Sequence, residues 1–580
     1  MLQTLLDRAR SDSPLWLPEL RETFLRDPTA RPMILRLTLH DGTQRDYPCA
    51  LPRWENEEER RFVAAYFHAC IYNILGACSG RELRLFFEPD DTELCALADG
   101  LDAVFQLGEA KRRGYGKVIS IAGRIARSFG GPAFRFTRAP LRDYAPLPET
   151  PAVTPAPLDG KLRALCEAAS GLALCGIDVG GTDIKLAVSE GDRLVCTKEF
   201  DWNPAAYPTV EEITAPILLL TRLMRCCLAA ERTACPAAVH ASLLAALDKS
   251  APLSRIREAV DAAEAHFGSA VNVLDGVGLS FPDIVIGDRI LGGETPKTDG
   301  MRRNDAVDYE TAFARLSGLK GALLALCRAD GRVHITNDGN MAAFTAAVEI
   351  AHSEDAGTLR DGVIAHSLGT DLGTGWLRAD GSIPALPLEM YDLILDLGSF
   401  PSRAFAPEDL RSTRNENSGL PGARRYMGQA AAYRLAQKLE SSLLDGFTEE
   451  THGLLRIQTA PQDLRKPCLE HLMGRAEAGD PAACEIFRSI GANLAVAARE
   501  MDYLLRPETR ARFLFGRFVK RPQVFALLDE GFRAGMPGLR LVPSDEGLAN
   551  TPLMRALSDT PGVTVAQFGQ AVGSIYFALT

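Results

Sequence analysis

Three short segments of the sequence combine residue types that can hold a phosphate and move a proton. The first is Asp178-Val-Gly-Gly-Thr-Asp-Ile-Lys185, set between two apolar runs. The adjacent Gly180 and Gly181 let backbone amides come close to an anion, and Thr182 adds a hydroxyl donor. Asp178, at the end of the first run, is placed to anchor a hydrated Mg2+. Lys185 closes the segment. A plain Gly-Gly hairpin is the alternative reading. The second segment, Ser367-Leu-Gly-Thr-Asp-Leu-Gly-Thr-Gly375, holds two Gly-Thr pairs, Gly369–Thr370 and Gly373–Thr374, around Asp371. Converging amides and hydroxyls suit phosphate oxygens; a loose surface loop is the alternative. Between the two lies Ile335-Thr-Asn-Asp-Gly-Asn-Met-Ala-Ala343. Asp338 there follows an apolar run and precedes a helical one, where α/β proteins expose chemistry at strand ends. Such a carboxylate can accept the proton of a hydroxyl attacking a γ-phosphoryl group, or it can simply cap the helix. Two phosphate turns in one chain are more specific than either, because phosphoryl transfer needs donors on opposite sides.

The elements around these segments predict an α/β body. Leu172–Val179, Ile184–Val188 and Leu194–Phe200 read as strands, so the first turn is a hairpin. Helices are expected over Glu211–Glu231, Ala237–Phe267 and Asp308–Arg328, with strands at Gly276–Leu279, Ile284–Ile286 and Val333–Thr336. Asp361–Ser367 is a strand leading into the second turn. Gly428–Leu505 is mainly helical, Phe513–Gly516 a strand and Pro522–Gly535 a helix. Val563–Ala566 reads as a last strand before a helix over Gly569–Leu579. Two similar turns, each following a strand, point to a duplicated unit.

The N-terminal part is different. Met33–His40 and Arg45–Leu51 flank an Asp41–Gly42 turn signal. Glu57–Ala77 and Thr92–Phe105 have helical spacing, and Arg84–Phe87 is a short strand. This α+β region carries no phosphate loop, metal spacing or nucleophile arrangement. A proline-rich stretch, Ala145–Leu158, has proline at 146, 148, 151, 155 and 157 and reads as an extended spacer.

The chain has 580 residues, 46% apolar and 24% charged, which suits ordinary globular domains and excludes disorder or a coiled coil. A net charge of −11 disfavours a protein that neutralises nucleic-acid backbones. No uninterrupted apolar run of spanning length predicts a membrane segment. The charged opening MLQTLLDRARSDSPLW lacks the pattern of a leader. Thirteen unpatterned cysteines suggest free thiols and a cytoplasmic location.

Taken in order, GIDVGGTDIKLAV (176–188), GVGLSFPD (276–283), ITNDGNMAA (335–343), LGTDLGTGW (368–376) and FGQAVGSIYFAL (568–579) resemble the ROK sugar kinases of the hexokinase–actin–Hsp70 superfamily. The resemblance covers roughly 172–580. It implies a two-lobed, ribonuclease H-like (actin-like ATPase) duplicated α/β fold behind a small α+β N-terminal domain. The boundaries expected are 1–144, a linker at 145–160, a small lobe at 161–340 and a large lobe at 341–580. It also implies ATP with Mg2+ and a small-molecule sugar as partner, with a homodimer as a further expectation. Asp338 resembles the family's catalytic base. Asp178, Gly180, Gly181 and Thr182 are similar to the first phosphate motif, Gly369 and Thr370 to the second, and Gly516 to the start of the nucleoside-contacting Gly-Gly. Asn337 would bind a sugar hydroxyl, and Glu389 falls at the Glu of the E-x-G-H sugar motif.

The sequence departs from that pattern in four places. The motif reads Glu389-Met-Tyr-Asp392, with Asp392 where the family has His. Asp371 replaces a Gly, and Arg517 replaces the second nucleoside Gly. There is no cysteine between Cys327 and Cys468, so no structural zinc is expected. Thr295, Lys297 and Thr298 are candidates for reaching a sugar from their loop, which otherwise is a solvated one. Trp202, Trp376 and Tyr391 could stack on a ligand or be core. A sugar-responsive regulator of the same fold, or a superfamily kinase acting on a non-sugar substrate, are the competing readings.

Overall fold

The apolar runs between residues 173 and 337 build a five-stranded sheet. Its order is Arg332–Asn337, Gly276–Phe281, Ala173–Val179, Asp183–Glu190, Arg193–Asp201. Ala173–Val179 pairs antiparallel with Asp183–Glu190 and parallel with Gly276–Phe281. The last two strands at each edge follow suit, antiparallel on one side and parallel on the other. Side chains alternate across a strand. Cys175, Ile177 and Val179 therefore enter the core with helices Val210–Arg232 and Leu253–Phe267. The opposite face takes helix Val565–Phe577, whose backbone lies against glycines: a Cβ on Gly176 would meet Ala571 O at 1.8 Å, and one on Gly278 would meet Ser574 O at 1.8 Å.

The computed structural model describes residues 1–10, 13–106, 114–148, 157–293, 296–369, 372–398, 422–543 and 548–580. They fall into two units. One comprises Met1–Val153, His366–Thr374 and Leu386–Pro543; the other Thr154–Ala365, Gly375–Ala385 and Ser544–Thr580. The five-stranded sheet belongs to the second. That unit draws its closing helix from the end of the chain.

A second sheet has the order Leu372–Leu377, Val363–Leu368, Ala511–Gly516, Arg540–Pro543. In chain order this is second, first, third, fourth; it repeats the first sheet without its outermost hairpin strand. Each glycine turn joins the first strand of its sheet to the second, which is the duplication that the sequence hinted at. The repeated strand order is that of the ribonuclease H-like, actin-like ATPase fold.

Several expected elements change. Ala237–Leu247 and Leu253–Phe267 are separate helices, broken before Pro252. Tyr309–Leu316 and Leu319–Leu324 part at Gly318. Val563–Ala566 is not a strand: the helix begins at Val565, with Thr564 at its N-cap. Strands Thr448–Thr451 and Leu454–Ile457 form a hairpin inside the region expected to be helical. Helix Val210–Arg232 is long and apolar enough to cross a membrane by length and composition, yet it is mostly buried in the core. All thirteen cysteines are free.

The N-terminal strands form a sheet in the order Gln44–Leu51, Arg31–Thr38, Glu82–Phe87, Arg135–Pro140, with Gly42 at φ 89° in the hairpin turn. This region is not held apart from the rest of its unit. Residues 149–156 of the proline stretch lie outside the described residues. Helix Glu57–Cys78 is buried almost along its whole length, because Leu386–Pro543 packs on it. Asn73 donates to Ile394 O and to Glu500 Oε1, both at 2.9 Å. Arg21 pairs with Glu500 at 2.6 Å, with side chains 5% and 0% exposed. The C-terminal carbonyls of helix Pro481–Leu505 would be orphaned, but Tyr47 Oη and Arg45 donate to Leu504 O at 2.9 and 3.2 Å.

Candidate functional site

Asp338 lies where the sequence placed it, at the first position of helix Asp338–Ala351 directly after strand Arg332–Asn337. It is not the cap. Asn337 is: its Oδ1 accepts from Asn340 N at 2.9 Å, and its Nδ2 donates to Asp338 Oδ1 at 3.0 Å. Both ends of the Asn337 amide thus serve the turn, which leaves one N–H and one lone pair for a further contact. Gly339 N adds a bond to Asp338 Oδ1 at 2.9 Å. The second carboxylate oxygen faces Lys297 Nζ at 3.5 Å, and both side chains are partly exposed. The loop is backed by Gly375, whose Cβ would meet Gly339 O at 1.9 Å, and by Trp376 N donating to Asn340 Oδ1 at 3.0 Å.

The first glycine turn is propped from below. Gly180 N donates to Asp183 O at 2.8 Å, and Trp202 Nε1 donates to Gly180 O at 3.0 Å. Trp202 is buried and meets Tyr207 edge-on at 5.9 Å, so it supports the turn and does not face a ligand. Among the described residues, the amides of Gly181 and Thr182 have no hydrogen-bond partner. The Lys297 stem passes close over Gly181: a Cβ there would lie 3.3 Å from Lys297 Cε. Lys297 thus reaches from over the turn to Asp338, a juxtaposition the sequence could not supply. Lys185 pairs with Asp183 at 2.5 Å.

Asp178 ends strand Ala173–Val179 opposite Ser280. Burial pushes its carboxyl up to about 6; Lys185 and the Ser280 hydroxyl work against that, and the charges of Asp338 and Asp183 add to it. Three carboxylates, Asp178, Asp183 and Asp338, thus influence one another beside two lysines, Lys185 and Lys297. Among the described residues, no group of three metal-ligating side chains forms.

Other candidates are spent inside the fold. Thr298 is buried with its hydroxyl 3.0 Å from Tyr309 Oη, so it does not face a sugar. Thr295, Thr370 and Asp371 lie outside the described residues. In the other unit, Gly369 O accepts from Gln429 N at 3.0 Å, and Gly373 lies 3.4 Å, at its notional Cβ, from Ser367. Gly516 sits against this turn at φ 106°, where a Cβ would be 2.2 Å from Leu368 O. Arg517 turns away to Glu470, 3.5 Å distant. Trp376 is buried beneath Arg378.

Thr374 is buried, with its hydroxyl 3.1 Å from His366 Nδ1, so it is not offered to phosphate. Burial, then the Arg512 guanidinium, push the His366 imidazole down to about 3. Between that value and about 6.5 the unfolded chain takes a proton that the folded chain refuses, so stability falls as pH drops through the window. This one group should account for about 3 kcal/mol of the loss between pH 7 and pH 4. Urea unfolding from pH 7 to pH 4 should show the loss, and His366→Gln should flatten the slope; parallel slopes would refute it.

Glu389 and Asp392 lie in a buried ion-pair cluster. Lys117, 1% exposed at the start of helix Gly116–Ser128, reaches Asp392 Oδ2 at 2.7 Å and Glu389 Oε2 at 2.8 Å. It also donates to Tyr391 Oη at 2.8 Å, which itself donates to Glu389 at 2.9 Å. Glu389 N is bonded to Gly76 O at 3.2 Å. The acids expected to meet a sugar thus pair with Lys117 of the N-terminal region.

No protein-family model matches the chain, and no curated protein does. Similar solved structures include a ROK family glucokinase from Streptomyces griseus, in complex with glucose and AMPPNP, at 17% identity and TM-score 0.35, covering 70% of this chain and 99% of that one. A ROK hexokinase from Thermus thermophilus has 15% identity and TM-score 0.34, covering 67% and 98%. A ROK family transcriptional regulator, a homologue of the E. coli MLC protein, has 12% identity and TM-score 0.39, covering 71% and 81%. The chain carries the duplicated actin-like ATPase fold by its own strand order, and its structural neighbours include ROK sugar kinases and a ROK regulator.

Proposed function

We propose that the chain transfers the γ-phosphoryl group of ATP to a hydroxyl of a hexose or related carbohydrate, with Asp338 as general base. The observation that supports this is the meeting, within one unit, of Asp338, Lys297 and the amides of Gly181 and Thr182, which have no hydrogen-bond partner among the described residues. Those amides would take phosphate oxygens, and the Thr182 hydroxyl would do so by turning from Asp183 Oδ2, 3.3 Å away. Asp338, held by Gly339 N and Asn337 Nδ2, would accept the acceptor's proton as the new P–O bond forms. Mg2+ anchored through Asp178 would neutralise charge on the phosphates.

One observation favours a second reading. With Glu389 and Asp392 occupied by Lys117, the hydroxyl pattern of an ordinary hexose loses two of its expected partners, and a kinase with a non-sugar acceptor gains weight. ADP release from MgATP across a panel of sugars, polyols and small hydroxy acids separates the two. Turnover with a carbohydrate supports the first reading. Turnover with acids alone supports the second. No ADP with any acceptor would refute both and favour a ligand-responsive regulator.

A further inference from the structure

We infer that Lys297 is a catalytic residue that grips the transferring phosphoryl group, and not a sugar-reaching side chain. The inference rests on the kinase reading above and deepens it. The lysine stem crosses the first glycine turn, with Cε 3.3 Å from where a Gly181 Cβ would be, and its ammonium stops 3.5 Å from Asp338 Oδ2. A phosphate held on the Gly181 and Thr182 amides would therefore have this ammonium on the side facing the base. As an isolated, partly exposed ion pair with Asp338 it would contribute little. Next to phosphoryl oxygens it supplies charge where charge spreads during transfer.

The segment carrying Lys297 is built to hold that position. Thr298 is tied to Tyr309, and a Cβ on Gly300 would lie 2.3 Å from Tyr207 O, so helix Asp299–Arg303 is seated on the Tyr207 backbone. Asn304 Nδ2 donates to Pro208 O at 2.9 Å. Tyr207 packs on Trp202, and Trp202 holds the Gly180 carbonyl. Lysine and glycine turn thus share one scaffold.

In the step itself the γ-phosphorus–oxygen bond to ADP breaks and a bond from phosphorus to the acceptor oxygen forms. The acceptor's proton passes to Asp338, ADP leaves with the bond's electron pair, and Lys297 stays protonated throughout. The test is calorimetric titration of wild type, Lys297→Met and Lys297→Arg with Mg-AMPPNP and with MgADP. The methionine variant should bind Mg-AMPPNP at least tenfold more weakly and MgADP within twofold of wild type, while arginine recovers part of the loss. Equal losses for both nucleotides, or none, would overturn the assignment of Lys297 and leave the kinase reading standing. A wild type that binds neither nucleotide would overturn both. With a turned-over acceptor, kcat should fall in Lys297→Met while the acceptor KM stays within threefold.

Discussion

Asp338→Asn is expected to lower kcat by a factor of about 10² to 10⁴ while MgADP affinity and the unfolding midpoint stay at wild-type values. The substitution keeps the volume of the side chain and an oxygen that can accept from Gly339 N and Asn337 Nδ2. What it loses is the capacity to take a proton, and the negative partner of Lys297. The helix behind it is unaffected, since Asn337 and not Asp338 caps it. KM for nucleotide should hardly change, because the turn at Gly180–Thr182 does not depend on Asp338 for its hydrogen bonds. A loss confined to kcat identifies an interaction made in the transition state. Coupled measurement of ADP release, with circular dichroism to confirm the fold, reads all of this. Wild-type turnover by the variant would remove Asp338 from the chemistry. A parallel loss of MgADP binding would make it a structural residue of the nucleotide site.

What was legible in the sequence was local. The apolar runs around the first turn, the glycines within it and the strand-to-helix change at Asp338 each depend on neighbouring residues, so composition and period exposed them. Short apolar runs were less secure: Val563–Ala566 is β-branched enough to pass for a strand but begins a helix, while Arg540–Pro543 pairs with Ala511–Gly516 through a parallel register that no local pattern announces. The long-range pairings were invisible. Lys297 meets Asp338 across 41 positions and Lys117 meets Asp392 across 275. Trp202 was read as core or ligand stack because nothing in the chain shows that its ring N–H returns to Gly180. The N-terminal region seemed detachable on its proline-rich border alone, whereas its polar side chains satisfy the end of a helix more than 400 positions away.

Lys117→Met is the variant expected to destabilise the chain most, by about 3–5 kcal/mol. Burial is the strongest influence on this ammonium and acts to discharge it; Asp392 and then Glu389 overcome that and hold it well above the usual lysine range. The folded protein therefore keeps Lys117 charged throughout the neutral range, and the contribution would be lost only at strongly alkaline pH. Methionine matches the stem but removes the ammonium from between Asp392, 2% exposed, and Glu389, 9% exposed. Removing one partner of a buried pair strands the other, whereas replacing all the charges can be neutral or better. Equilibrium urea unfolding of Lys117→Met should therefore show a large drop in midpoint that Lys117→Met/Glu389→Gln/Asp392→Asn largely recovers. A single variant as stable as wild type would mean that the ion pairs contribute nothing. Recovery of stability in the triple variant together with an unchanged acceptor KM would establish these acids as the seat of the N-terminal region and exclude them from substrate recognition; a recovered fold with a much weaker acceptor KM would return them to the acceptor site.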